Sequence, residues 1–220
     1  MENYMIDYHF NGQAKYFDFY LFVNPLGRKC YYSEQEINKA SKLISSKIDI
    51  NILCIHNEEI LNDFMQRLGI IQPSLAVRND LYCKLYKAAL AVKAAHFQGK
   101  RKGRCFLKDL QQKIYHDLSL LNENLIMDLA ASNGLDSDLF YEDFYSDFTR
   151  ELYFNDLKIA KAMGVHSTPS LVIFDSTRED EGILLEDNVT YESVIDHLDL
   201  LHSQHLDHSV KCSTHFNLLK

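Results

Sequence analysis

The sequence predicts an α/β fold of two halves, an N-terminal β-α-β unit and a C-terminal β-β-α unit, with a helical insertion between them. Three observations predict it. Tyr16–Val23 and residues 48–55 are β-rich and flank a helical pattern; a Pro-free block of helical periodicity runs from 81 to 163; and β character returns after Pro169. Residues 16–78 and 165–204 are then one domain, 79–164 an inserted helical subdomain, and 205–220 a His-rich tail.

Tyr16–Val23 (YFDFYLFV) has no helical period and stops at Asn24-Pro25, which marks a buried strand. Ser33-x-x-Glu36 has the form of a capping box, and Ile37, Ala40, Leu43 and Ile44 follow at helical spacing. Residues 48–55 (IDINILCI) alternate and then turn wholly apolar, as a strand buried in a parallel pair does. Three or four helices are expected in the insertion, divided at 99–103, near Asn122 and at Asn133-Gly134. Asn122 can cap the helix bearing Leu125, Ile126, Leu129 and Ala130, which Gly134 ends at C′. The next helix is expected from Asp136 or Ser137 through Met163, with Gly164 as its stop. Residues 170–174 (SLVIF) and Gly182–Glu186 (GILLE) read as two strands, and Thr190 caps a last helix carrying Val194, Ile195 and Leu198.

Composition bounds the function. The chain has 220 residues with 3 Pro and 8 Gly, where average usage gives about 11 and 15, so collagen-like and turn-rich all-β folds are excluded. A formal net charge of −8 argues against nucleic acid or anionic lipid as the main partner. Five widely spaced cysteines without a C-x-x-C pair are no disulfide scaffold, and no apolar run approaches a membrane span. The first twelve residues lack the basic and apolar regions of a secretory leader, so a reducing cytoplasm is the expected compartment. Cys54 and Cys83, and with them Cys105, read as small core residues.

Two local motifs point to chemistry. Asn24-Pro25-Leu26-Gly27-Arg28-Lys29-Cys30 lies where the first strand meets the first helix, and Thr168-Pro169-Ser170 immediately precedes the third strand. A lone Thr-Pro before a strand fits a trans turn; a cis bond would expose the backbone of Thr168 at a surface. With the element order, these motifs resemble the thioredoxin fold in its DsbA-type form, α/β with a helical insertion, in which the first motif carries C-x-x-C and the second is the cis-proline loop that pairs with bound peptide. A dithiol cycle needs an attacking sulfur at a helix N-terminus and a second, three residues on, to resolve the mixed disulfide. Here the attacking position is Gly27, followed by Arg28, Lys29 and the resolving-type Cys30. Kappa-type glutathione transferases and related isomerases, which share the architecture, use a hydroxyl at that place. Gly27 offers none.

A closer resemblance is carried by Phe22-Val23-Asn24-Pro25-Leu26 with Cys30, by residues 89–100 (ALAVKAAHFQGK) followed by Arg104-Cys105-Phe106, and by residues 156–164 (DLKIAKAMG) leading into Thr168-Pro169-Ser170-Leu171-Val172. In these phrases the chain resembles the SpxH (YjbH) family of Firmicutes over residues 16–200. That resemblance implies an adapter that delivers a Spx-like transcription regulator to the ClpXP protease, with a Spx-like client and ClpX as partners, no catalytic residue, no metal and no cofactor. Members of that family often extend further at the C-terminus than Lys220. The competing class is a cytoplasmic thiol-disulfide oxidoreductase or glutathione-dependent isomerase.

Three surfaces complete the candidates. Lys100, Arg101, Lys102 and Arg104 sit at an expected interhelical bend and fit either a docking patch for an acidic partner or a solvated loop. Phe140, Phe144 and Phe148, beside Tyr141 and Tyr145, make an aromatic face that either packs the insertion onto the first domain or grips a peptide. His197, His202, His205, His208, Cys212 and His215 could hold Zn²⁺, but lack paired structural-zinc spacing, and also read as a soluble extension.

Overall fold

The computed structural model describes residues 5–10, 13–176 and 182–206. A short hairpin, β1 (His9–Phe10) and β2 (Gln13–Ala14), leads into β3 (Tyr16–Val23), α1 (Arg28–Leu43), β4 (Lys47–Cys54) and α2 (Glu58–Arg67). The helical block follows as α3 (Leu75–Phe97), α4 (Lys100–Ile114), a 3-10 turn at Leu118–Leu120, α5 (Glu123–Ser132), α6 (Ser137–Tyr145) and α7 (Asp147–Ala162). The chain then closes the sheet with β5 (Ser170–Asp175), β6 (Gly182–Glu186) and α8 (Tyr191–Leu206). Strand order is β4-β3-β5-β6. β3 runs parallel to β4, with Phe19 opposite Ile50, and antiparallel to β5, with Phe19 opposite Ile173. No helix among the described residues is long and apolar enough to cross a membrane.

The alternation in β3 divides the core. Phe17, Phe19 and Leu21 face α1 and α8, where Ile37, Ala40, Val194 and Leu198 complete one cluster. On the other face Phe22 joins Leu53, Val172 and Met163, with Ala160 of α7 above them. The C-terminal half of α3 is buried nearly all round by alanine, Ala88, Ala89, Ala91, Ala94 and Ala95, and so serves as the axis of the helical block. Polar contacts lie within the block and between it and the segment that follows β4. Lys93 of α3 pairs with Asp156 of α7, and the Tyr153 hydroxyl shares a 2.5 Å hydrogen bond with Nδ1 of His56. Burial pulls the His56 imidazole down to about 4, so it is neutral at pH 7 and can accept that bond.

Several elements differ from the expectation, each for a local reason. α1 begins at Arg28 rather than Ser33, because Asn24 closes the turn with its side chain, so Ser33 and Glu36 lie inside the helix. Glu36 instead accepts the Tyr191 N–H at 2.9 Å and caps the distant α8. α2 was not foreseen, although Asn57 caps it through Ile60 N. α3 starts at Ser74, whose hydroxyl accepts from Val77 N. Only Gly99, at φ +121°, breaks the chain between α3 and α4; Gly103 lies within α4, and it is glycine there because an added Cβ would come 2.5 Å from the His96 ring of α3. The expected long helix from 137 to 163 is split at Ser146, which caps α7 by accepting from Thr149 N. Phe140 and Phe144 are buried, with Phe140 5.5 Å from Phe106 of α4. They therefore pack the helical block on itself, while Phe148 is exposed. Cys54 is buried, but Cys83 and Cys105 are exposed and are not core residues.

One buried ion pair anchors the N-terminal hairpin. Lys15 Nζ lies 2.6 Å from Asp175 Oδ2 at the end of β5, both side chains shut from solvent. Removing one partner strands a buried charge. Lys15→Met is therefore expected to cost about 3–5 kcal/mol, read as a lower urea midpoint at unchanged slope. The double variant with Asp175→Leu should recover part of the loss, and equal stability of Lys15→Met and the native chain would refute the assignment.

Candidate functional site

The site forms where β3 ends. Asn24 is buried there, and its side-chain oxygen accepts the Leu26 N–H at 2.8 Å while its carbonyl accepts Gly27 N at 3.0 Å. This tight turn launches α1 with Gly27 as N-cap, at φ −85° and ψ 124°, without a side-chain cap and without an acidic residue in the first turn. The Thr168–Pro169 peptide is cis. Ser170 fixes that loop by donating to Ser167 O at 2.8 Å. Thr168 and Gly27 line the same cleft, of about 260 Å³, together with the C-terminal ends of α2 and α4.

Cys30 is 1% exposed, and its sulfur accepts the Asn24 N–H at 3.2 Å. Burial pushes the thiol up to about 12, against smaller stabilising hydrogen bonds from the Asn24 backbone and the Thr168 hydroxyl. At neutral pH Cys30 is a protonated, enclosed thiol. That removes the nucleophile twice over: position 27 carries no sulfur or hydroxyl, and the sulfur at 30 is neither ionised nor open. Arg28 and Lys29 are exposed beside it, the cation that acts on the thiol is Arg67, and burial outweighs it.

Two participants were not foreseen. Glu34 is buried one turn beyond Cys30, and desolvation raises its carboxyl to about 8 although Gln111 Nε2 donates to it at 2.8 Å. Gln111, on α4, is itself buried and lines the cleft. The signal was present in the spacing. Glu34 falls on the stripe Cys30, Ile37, Ala40, and Gln111 on the stripe Leu107, Leu110, Ile114, so each is a polar residue on an apolar face. The mouth of the cleft is aromatic. Tyr32 and Tyr115 share a hydroxyl–hydroxyl bond of 2.6 Å, and Arg28 Nε donates to Tyr115 O at 2.9 Å with its guanidinium 4.8 Å from the Tyr115 ring.

The basic run lies elsewhere. Lys100, Arg101, Lys102 and Arg104 begin α4, whereas the cleft uses its far end, about 20 Å away at 1.5 Å per residue. Lys100 binds Asp49 at 2.6 Å and Asn51 at 2.9 Å, and Lys102 donates to Gly134 O at 2.6 Å. Two of the four charges thus tie α4 to its neighbours. His197 and His202 are on α8 and His205 at its end, while His208, Cys212 and His215 lie outside the described residues.

Comparison with known proteins fits this geometry. A family model described as Thioredoxin matches residues 20–196. The ClpXP adapter protein SpxH of Bacillus licheniformis is 30% identical over 200 residues, covering 84% of this chain and 67% of that protein. The chain belongs to the SpxH family of thioredoxin-like proteins. SpxH of Bacillus subtilis is 27% identical over 212 residues, 87% of this chain and 71% of its own length. Among solved structures, the oxidoreductase DsbA from Xylella fastidiosa superposes with a TM-score of 0.58 at 10% identity, covering 86% of each chain. The cytosolic disulfide reductase DsbM from Pseudomonas aeruginosa superposes with a TM-score of 0.55 at 14% identity, covering 85% of this chain and 98% of that one. At such identities these two likenesses establish the fold alone: a DsbA-type thioredoxin scaffold, here in an SpxH-family chain.

Glu34 makes the site sensitive to pH. The folded chain keeps a proton on Glu34 that the unfolded chain releases, between the ordinary 4.5 and about 8. Its contribution is thus complete below the ordinary value and is lost as pH rises through the raised one, with a slope of about 1.4 kcal/mol per pH unit. Glu34→Gln should remove this decline, measured by urea unfolding from pH 5 to 8.5. Identical slopes in both proteins would show that Glu34 ionises normally.

Proposed function

We propose that the chain is an adapter that holds a Spx-like client in the cleft beside Gly27 and delivers it to the ClpXP protease. The observation that carries the reading is the pairing of an enclosed, protonated Cys30 with a glycine at the attacking position, inside an otherwise complete peptide-facing scaffold. A cis-proline loop and a cleft remain, while the atoms that turn binding into disulfide exchange are gone. SpxH relatives named as ClpXP adapters support the partner class. The four cysteines among the described residues are free, two of them exposed, which suits a reducing cytoplasm as the setting.

Thiol chemistry plays no part in this reading. The burial of Cys30 withdraws it from a mixed disulfide with client or glutathione. Degradation of purified Spx by ClpXP should speed up about tenfold or more when the chain is added, since an adapter raises the local client concentration. Cys30→Ser should give the same acceleration under oxidant and under reductant. Absence of acceleration by the native chain would overturn the adapter reading, and a redox-dependent difference between native and Cys30→Ser would overturn the exclusion of thiol chemistry.

A further inference from the structure

We propose that the cleft and the adjoining α2–α3 turn together select an anionic client segment carrying a large apolar side chain. The inference rests on the adapter reading and states what the client must present. Two independent features of the cleft agree on the sign of the charge. Arg28, Lys29 and Arg67 line it, against the one lining carboxylate among the described residues, Asp63, which Arg67 Nε already engages at 2.6 Å. This is a local excess of positive charge in a chain whose formal net charge is −8. The N-terminus of α1 points its positive end at the same space, and neither a side-chain cap nor a first-turn carboxylate offsets it.

A third feature concerns the backbone of the occupant. Gln111 is 3% exposed, and its Oε1 has no partner among the described residues, although its Nε2 is committed to Glu34. A buried acceptor left open in a cleft wall is costly until a donor arrives. A peptide N–H supplies that donor, and a free carboxylate or inorganic anion does not.

The apolar part of the selection lies next to the cleft. Leu68 lines it directly, and the turn that follows presents Ile71, 84% exposed, and Leu75, 73% exposed. Ile71 follows the end of α2 by four residues and Leu75 is the first residue of α3, so both come soon in the chain after Arg67 and Leu68, which enter the cleft. Large aliphatic residues held this openly beside a charged cleft form an anchor with a polar neighbour, the layout of an interface that captures one apolar side chain within a charged segment.

The test uses the full chain and two fluorescein-labelled decapeptides, one alternating Glu and Leu and the other Lys and Leu, followed by anisotropy at low and moderate salt. The Glu–Leu peptide is expected to bind about tenfold or more tightly than its Lys–Leu counterpart, with the difference shrinking as salt screens it. Lys29→Glu should erase the preference; it places an acid in the first turn of a helix, which favours folding, and circular dichroism checks this. Arg67→Glu should do the same, and Ile71→Ser with Leu75→Ser should weaken both peptides. Equal binding of the two peptides, or a preference that survives both charge reversals, would overturn the inference. Because binding is read directly, a preserved peptide preference without accelerated degradation would sink the ClpXP assignment and leave this inference standing.

Discussion

The hydrogen bond from the Asn24 N–H to the Cys30 sulfur closes the turn between the central strand and α1. Much of the functional end of the molecule follows from it. Together with the Asn24 side chain, which accepts the Leu26 N–H and sets where α1 begins, it seats Cys30 under its own helix and leaves Gly27 at the rim with an uncapped helix end facing outward. β3 supplies the rigid base, since it is paired on both sides, with β4 and with β5. The cis Thr168–Pro169 loop enters β5 directly, so Phe22 and Ser170, in register across the two strands, set the spacing between the loop and the turn. The cleft is thus held by sheet geometry on one side and by the ends of α2 and α4 on the other.

With that frame intact, a change at one position separates exchange from binding. Disulfide exchange needs a thiolate at the helix end, whereas peptide capture needs only shape, backbone groups and charge. The frame keeps the second set and lacks the first. Burial then works in one direction on the groups beneath the cleft: it suppresses the Cys30 thiolate, protonates Glu34 at neutral pH and leaves Gln111 short of a donor. What remains outside is the positive rim of Arg28, Lys29 and Arg67, so the charge that meets a partner belongs to exposed side chains and the helix end.

The architecture was largely readable in the sequence. β3 and β6 fall within the residues expected, because a run such as YFDFYLFV or GILLE has strong local preference and a clear stop. Helix starts were less legible. Ser33 and Glu36 spell a cap by local rule, but the turn at Asn24 decides the start, and Glu36 is used across the molecule by α8. The break at Ser146 was hidden inside an unbroken apolar period, because one serine can end one helix and cap the next without a glycine. Exposure of Cys83 and Cys105 depends on which helix faces meet, which periodicity alone does not say. In the site, Gly27, Cys30 and the Thr168–Pro169 loop were legible as a motif with a gap. Glu34 and Gln111 were marked only as polar residues on apolar stripes, and their pairing was not legible, since it joins helices 77 residues apart in the chain.

Gly27 can also be restored. Its backbone angles suit any L-residue, and a Cβ added there would lie 3.2 Å from the Cys30 sulfur and 3.3 Å from the nearest Asn24 atoms, close enough for a disulfide after a small shift. Turnover of insulin disulfides by dithiothreitol, followed with the native chain and with Gly27→Cys, tests directly whether a redox scaffold has been emptied of chemistry at one position. The native chain should leave the rate at that of the reductant alone, and Gly27→Cys should close a disulfide with Cys30 and raise it. Acceleration by the native chain, or a Gly27→Cys protein that keeps both thiols free under oxidant, would contradict this.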